Sequence, residues 1–190
     1  MSLKFIQVIK NEINSLLPDN TSGLITPATL RTVLQDMTDS LYNRTGALFR
    51  AAATAVAQAL TTAPTNYPAI YDTGLAADPA VVSNNLVSGL VTPQVTGFGC
   101  YVTVSLTADG ANGRVVTAQA AKNGVQIVSS RVSVSCSGAG NKESGTITIP
   151  VVGVVAGDIF TLLLSVDTGA SINIWQQVLQ VKVVPTFSAI

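Results

Sequence analysis

Few residues in this chain are equipped for chemistry. Beyond residue 63 there are six carboxylates, Asp72, Asp78, Asp109, Glu143, Asp158 and Asp167. Glycoside hydrolysis needs two such groups about 5 to 9.5 Å apart, and their places at inferred turns make no pair stand out. A calcium loop needs densely spaced acidic ligands, whereas Asp72 and Asp78 merely flank Gly74. Asp158 follows Gly157 at a turn, where aspartate ordinarily caps its own backbone. The chain has no histidine. It therefore lacks the usual general base near neutral pH and the commonest metal ligand, which excludes Ser-His-Asp and Cys-His catalysis and most zinc sites. No catalytic residue, cofactor or metal is expected.

Three further features invite a functional reading. The stretch from Gly138 to Gly145 matches neither G-x-x-x-x-G-K-[ST] nor G-x-G-x-x-G, and no helical pattern follows to offer its N-terminus to a phosphate. It reads as an exposed hairpin. Cys100 and Cys136 both fall on inward strand faces, where a thiol behaves as a small hydrophobe, and reduced thiols are expected. Trp175 with Asn173, Gln176 and Gln177 offers a sugar platform of stacking plus amide hydrogen bonds; a packed tryptophan is the competing reading.

Composition narrows the field further. Ten basic residues balance ten acidic ones, charged residues are 11% of the chain, and 57 of 190 residues are Thr, Ser, Asn or Gln. With scattered Lys and Arg and no basic stripe, binding to a phosphate backbone is not expected. Lys4, Lys10 and Glu12 interrupt the apolar start, and Gly157-Asp158 ends the apolar run from Val151. No signal peptide or membrane insertion is expected. A mean hydropathy of +0.46 in such a chain implies extensive burial against partners.

The elements that hold these residues divide in two. Leu3, Ile6, Ile9, Ile13 and Leu16 recur at helical steps until Pro18. Thr26 and Pro27 form a helix start, followed by Leu30, Leu34, Met37, Leu41 and Leu48 at the spacing of a coiled-coil seam. Both a helical hairpin within one subunit and a short trimeric coiled coil fit this pattern. Ala51 to Leu60 continues it with good helix formers. The expected organisation is a helical segment over 1–63, used for docking or trimerisation, and a β domain over 64–190.

In the β half, Cys100, Val102, Val104 and Leu106 alternate with polar residues, as do Val132, Val134 and Cys136. Ile147, Ile149 and Val151 follow the same pattern, and Leu179, Val181 and Val183 share a face. Around Phe160, Leu162, Leu163 and Leu164 both faces are apolar, which predicts a strand covered once by its own core and once by another subunit. Asn123-Gly124 and Asp109-Gly110 supply hairpin turns. Six to eight strands without intervening helices predict a β-sandwich or jelly roll, so the fold class expected is α+β with helices and strands segregated.

Two resemblances sharpen this. Gly97-Phe-Gly-Cys-Tyr-Val, Ala121-Lys-Asn-Gly-Val and Val155-Ala-Gly-Asp-Ile-Phe resemble, in this order, the strand, hairpin and turn of the C1q and tumour-necrosis-factor jelly roll. That likeness, over about residues 66 to 185, implies a homotrimer packed around a three-fold axis. Ile25-Thr-Pro-Ala-Thr-Leu-Arg through Asp36-Met-Thr-Asp-Ser resembles a segment near the start of tailed-bacteriophage structural proteins. It implies a virion fibre or spike, assembled in the host bacterial cytoplasm, docked to other virion proteins and possessing an outward head that meets a host surface glycan or protein. A capsid decoration or cement protein is the alternative, and a carbohydrate-binding module or glycan depolymerase is the alternative of another class.

Overall fold

A computed structural model describes residues 30, 34, 45–50, 53–76, 79, 81–94 and 98–185. The chain divides into two compact units, Met1–Arg44 and Thr45–Ile190. The second is all-β. Its early strands are β1 (Thr45–Phe49), β2 (Val56–Leu60), β3 (Thr65–Asn66), β4 (Thr73–Ala76), β5 (Val82–Asn85) and β6 (Leu90–Pro93). The later ones are β7 (Phe98–Asp109), β8 (Val115–Lys122), β9 (Val125–Gln126), β10 (Val132–Ser135), β11 (Glu143–Val154), β12 (Phe160–Val166) and β13 (Ala170–Pro185). One sheet has the order β11-β7-β13-β1-β4, with β2 also on β13; the other has the order β10-β8-β12-β6-β5, with β3 on β12 and β9 on β8. Every pairing is antiparallel, and consecutive long strands cross between the sheets, which is a jelly-roll sandwich.

The core follows from the two-residue period. Cys100, Val102, Val104, Leu106, Leu179, Val181 and Val183 line the inner face of the first sheet. Val116, Ala118, Ala120, Phe160, Leu162, Leu164 and Val166 face them from the second. The sheets approach closely at Gly46, where a Cβ would lie 2.3 Å from Val82 Cγ1. Asn123 and Gly124 both take positive φ, 53° and 79°, as the Asn-Gly hairpin turn requires.

The α+β class is corrected by this architecture to all-β. Among the described residues the multi-residue helical elements are two 3-10 turns, Pro68–Ile70 and Val128–Ser130. The expected boundary after residue 63 falls inside the β unit, which begins at Thr45 and already holds β1 and β2. Leu48, expected on a helical seam, is fully buried on β1 between Leu179 and Gly74. Leu3, Ile6, Ile9, Ile13, Leu16, Met37 and Leu41 lie outside the described residues. Leu30 and Leu34 carry helical backbone and are 43% and 52% exposed.

The physical reason for the misread strands lies in β13. It is long enough to pair twice along one edge, with β2 over Ala170–Ile174 and with β1 over Val178–Lys182. Pairing with β13 overrides the helical propensity of the alanine-rich β2, and β1 is held on its other side by β4 as well.

Candidate functional site

The sequence places hydroxyl residues on alternate positions of β7 and β11, and the pairing of these strands sets them side by side. Thr103 and Thr148 share a hydrogen bond of 2.8 Å, Ser105 and Thr146 one of 2.8 Å, and Thr107 and Ser144 one of 3.0 Å. The rows continue across β13 and β1. One runs Thr148, Thr103, Gln180, Ala47; the next runs Thr146, Ser105, Val178, Phe49. Thr107 also donates to Gln176 Oε1 at 3.4 Å. The result is an outer sheet face spanning β11, β7 and β13 and reaching Phe49 of β1, with Ala47 of β1 buried at its edge, whose central rows carry hydroxyl, amide and apolar groups and no charge. Lys182 stands one row beyond it. Such a face has modest desolvation cost and interlocked side chains, which suits contact with another protein surface and offers no nucleophile or base.

The strand expected to be covered on both sides has one of those coverings within the chain itself. Phe160, Leu162 and Leu164 are fully buried in the chain's own core, while Leu163 is half-buried on the outer face of the second sheet, beside Asn66 and Gln119. Thus β12 is covered by its own domain on the Phe160 side, and the broad uncharged face lies on the other sheet.

The platform expected at Trp175, Asn173 and Gln177 is not assembled. A bulge between Ile174 and Gln176 shifts the register of β13, so Gln177 turns inward and is fully buried. Neither its amide atoms nor the buried Tyr71 hydroxyl completes a hydrogen bond of normal geometry, although the two groups face each other and burial drives the tyrosine's pKa upward. Trp175 and Asn173 serve Asp109 instead. The Trp175 indole N–H donates to Asp109 Oδ2 at 2.6 Å and the Asn173 amide donates to Oδ1 at 2.7 Å. Lys142 Nζ sits 3.5 Å from the indole centroid, occupying the ring face.

At the far end of β7, roughly 35 Å along the strand, a second carboxylate is clamped. Asp158 Oδ2 accepts from Lys122 Nζ at 2.8 Å and from the Val155 N–H at 2.8 Å, and Oδ1 accepts from the Asn123 amide at 2.7 Å. The Asn123 side-chain Oδ1 accepts from the Ile159 N–H at 2.7 Å, and Lys122 also donates to Gly153 O at 2.8 Å. Asp158 is therefore a turn cap, as expected, and it also ties the β8–β9 hairpin to the turn before β12. Sequence reading missed the lysine partner, which lies 36 positions away.

Burial alone would raise the pKa of both aspartates. Hydrogen bonds from Trp175, Asn173 and the Gly140 N–H, with the Lys142 charge, reverse this for Asp109. Lys122, the Val155 N–H and Asn123 do so for Asp158. A carboxylate whose folded pKa is depressed stabilises the fold above its unfolded value and ceases to do so as pH falls through the folded one. With no histidine, the melting temperature is expected to vary little between pH 5 and 8 and to fall steeply below about pH 4. Thermal melts from pH 2.5 to 8 check this, and in them Asp109→Asn should flatten the acid limb. Cys100 and Cys136 are free and buried. Burial, the largest influence, helped by Asp158 and opposed by Lys122, pushes the Cys100 thiol up to about 12, so it stays protonated at neutral pH.

The chain matches no protein-family model and no curated protein sequence. It is similar to several solved structures. The Eiger TNF of S. frugiperda is 11% identical, with 78% of this chain and 97% of that chain covered at a TM-score of 0.47. The PRD1 vertex protein P5 is 12% identical, with 76% and 99% covered at a TM-score of 0.46. Murine APRIL is 12% identical, with 73% and 98% covered at a TM-score of 0.42.

Proposed function

We propose that this protein is a non-enzymatic structural component of a tailed-bacteriophage particle. It acts as a homotrimer whose subunits meet through the outer face of the sheet containing β11, β7, β13 and β1, with the segment before Thr45 docking it to other virion proteins. The observation that carries this reading is the uncharged face itself. A row such as Thr146, Ser105, Val178 and Phe49 can be desolvated without stranding a charge, which an exposed monomer surface has no need of. The low charge of the whole chain agrees with a surface largely occupied once assembled. The trimer number is what the jelly-roll motifs at Gly97, Lys122 and Gly157 imply, and the particle is what the Ile25 to Ser40 segment implies. Quantitative mass spectrometry of purified particles tests the assignment: the chain is expected at a copy number divisible by three, and its absence from particles overturns the reading.

A further inference from the structure

The second sheet carries a different surface. On its outer side, Ser133 of β10, Thr117 of β8 and Ser165 of β12 stand in one row across three adjacent strands. Ser133 and Thr117 share a 3.0 Å hydrogen bond, and neighbouring strands lie about 4.8 Å apart, so the row is a rigid, evenly spaced set of donors and acceptors. It floors a groove of about 400 Å³ whose other lining residues are Thr62, Val115, Arg131, Val166 and Asp167. The Thr62 wall is held by the adjacent Thr61, whose carbonyl accepts from the Val166 N–H at 3.0 Å. Arg131 lies two residues before Ser133 and Asp167 two residues after Ser165, at diagonal corners. Both are exposed, and among the described residues no carboxylate pairs with the Arg131 guanidinium.

We infer that this groove binds an acidic saccharide, with Arg131 taking the sugar carboxylate, the Ser133, Thr117 and Ser165 hydroxyls reading ring hydroxyls, and Asp167 accepting from a further hydroxyl. Guanidinium is the donor fork suited to a carboxylate. A hydroxyl row beside a lone carboxylate matches a ligand rich in O–H donors. The lining residues include no aromatic ring, so recognition is by hydrogen bonds and charge, without stacking. The groove lies on the face turned away from the first sheet, so a trimer formed through that sheet leaves it open.

The test is a titration of the full chain, followed by NMR or calorimetry, with sialyllactose and digalacturonate as acidic probes, lactose as the neutral probe and acetate as the bare anion. At least one acidic saccharide is expected to bind ten times or more tightly than lactose and acetate. Arg131→Gln should lower that affinity at least tenfold, and Ser133→Val severalfold, with the oligomer mass unchanged. Binding of neither acidic saccharide, equal binding of acetate, or indifference to Arg131→Gln would overturn the inference. Any of these results obtained with an intact trimer leaves the assembly reading standing, because the two surfaces are separate.

Discussion

Replacing Ser105 with arginine is expected to convert the assembled protein to folded monomers. Ser105 sits mid-row between Thr146 and Val178, half-buried, and its side chain points away from the core. A monomer accommodates arginine there, since the long side chain reaches water. A trimer joined through this face cannot, because three guanidinium groups would be desolvated close together without partners. An unpaired charge in such a setting costs several kcal/mol, and about 4 kcal/mol corresponds to roughly a thousandfold weaker association. Size-exclusion chromatography with circular dichroism separates the outcomes. A monomer with a native β spectrum is expected, whereas Ser105→Thr should remain assembled. An arginine variant that stays oligomeric would move the interface elsewhere.

The second large effect is on the fold. Asp158→Ala leaves the part-buried Lys122 ammonium with the Gly153 carbonyl but no carboxylate, removes the cap on the Val155 N–H and frees the Asn123 amide in one step. Breaking one side of a buried pair typically costs 3 to 5 kcal/mol, so the denaturation midpoint should fall accordingly, equivalent to roughly 10 °C in melting temperature. Asp158→Asn keeps an acceptor for the Val155 N–H and should lose less. Replacing both partners, Lys122→Met with Asp158→Leu, should recover much of the loss by removing the orphaned charge. A loss below about 0.5 kcal/mol for Asp158→Ala, the range of ordinary surface changes, would mean that the clamp contributes little.

How far these features were legible in the sequence depends on how local their causes are. The inward faces of β7, β10 and the end of β13 from Leu179 to Val183 follow from strict alternation, and Asn123-Gly124 specifies its own turn. The Asp158 cap is equally local. By contrast, β1 and β2 carry residues that suit a helix and become strands because β13 offers them an edge. Leu48 falls seven residues after Leu41, a spacing that matched a seam by coincidence. Gln177 was placed beside Trp175 by adjacency, and the bulge separated them. The hydroxyls of β7 and β11 alternate visibly, but only sheet order shows that they form one surface. The groove is hidden in the same way, with Thr117, Ser133 and Ser165 brought together by pairings that sequence periodicity does not encode.

The central claim is that the uncharged face of the first sheet is an interface between three copies of this chain. Light scattering of the purified full chain at micromolar concentration measures the copy number on which this claim rests. The expected mass is three times that of the 19.5 kDa chain, in a single peak. A stable species at the mass of one chain would contradict it.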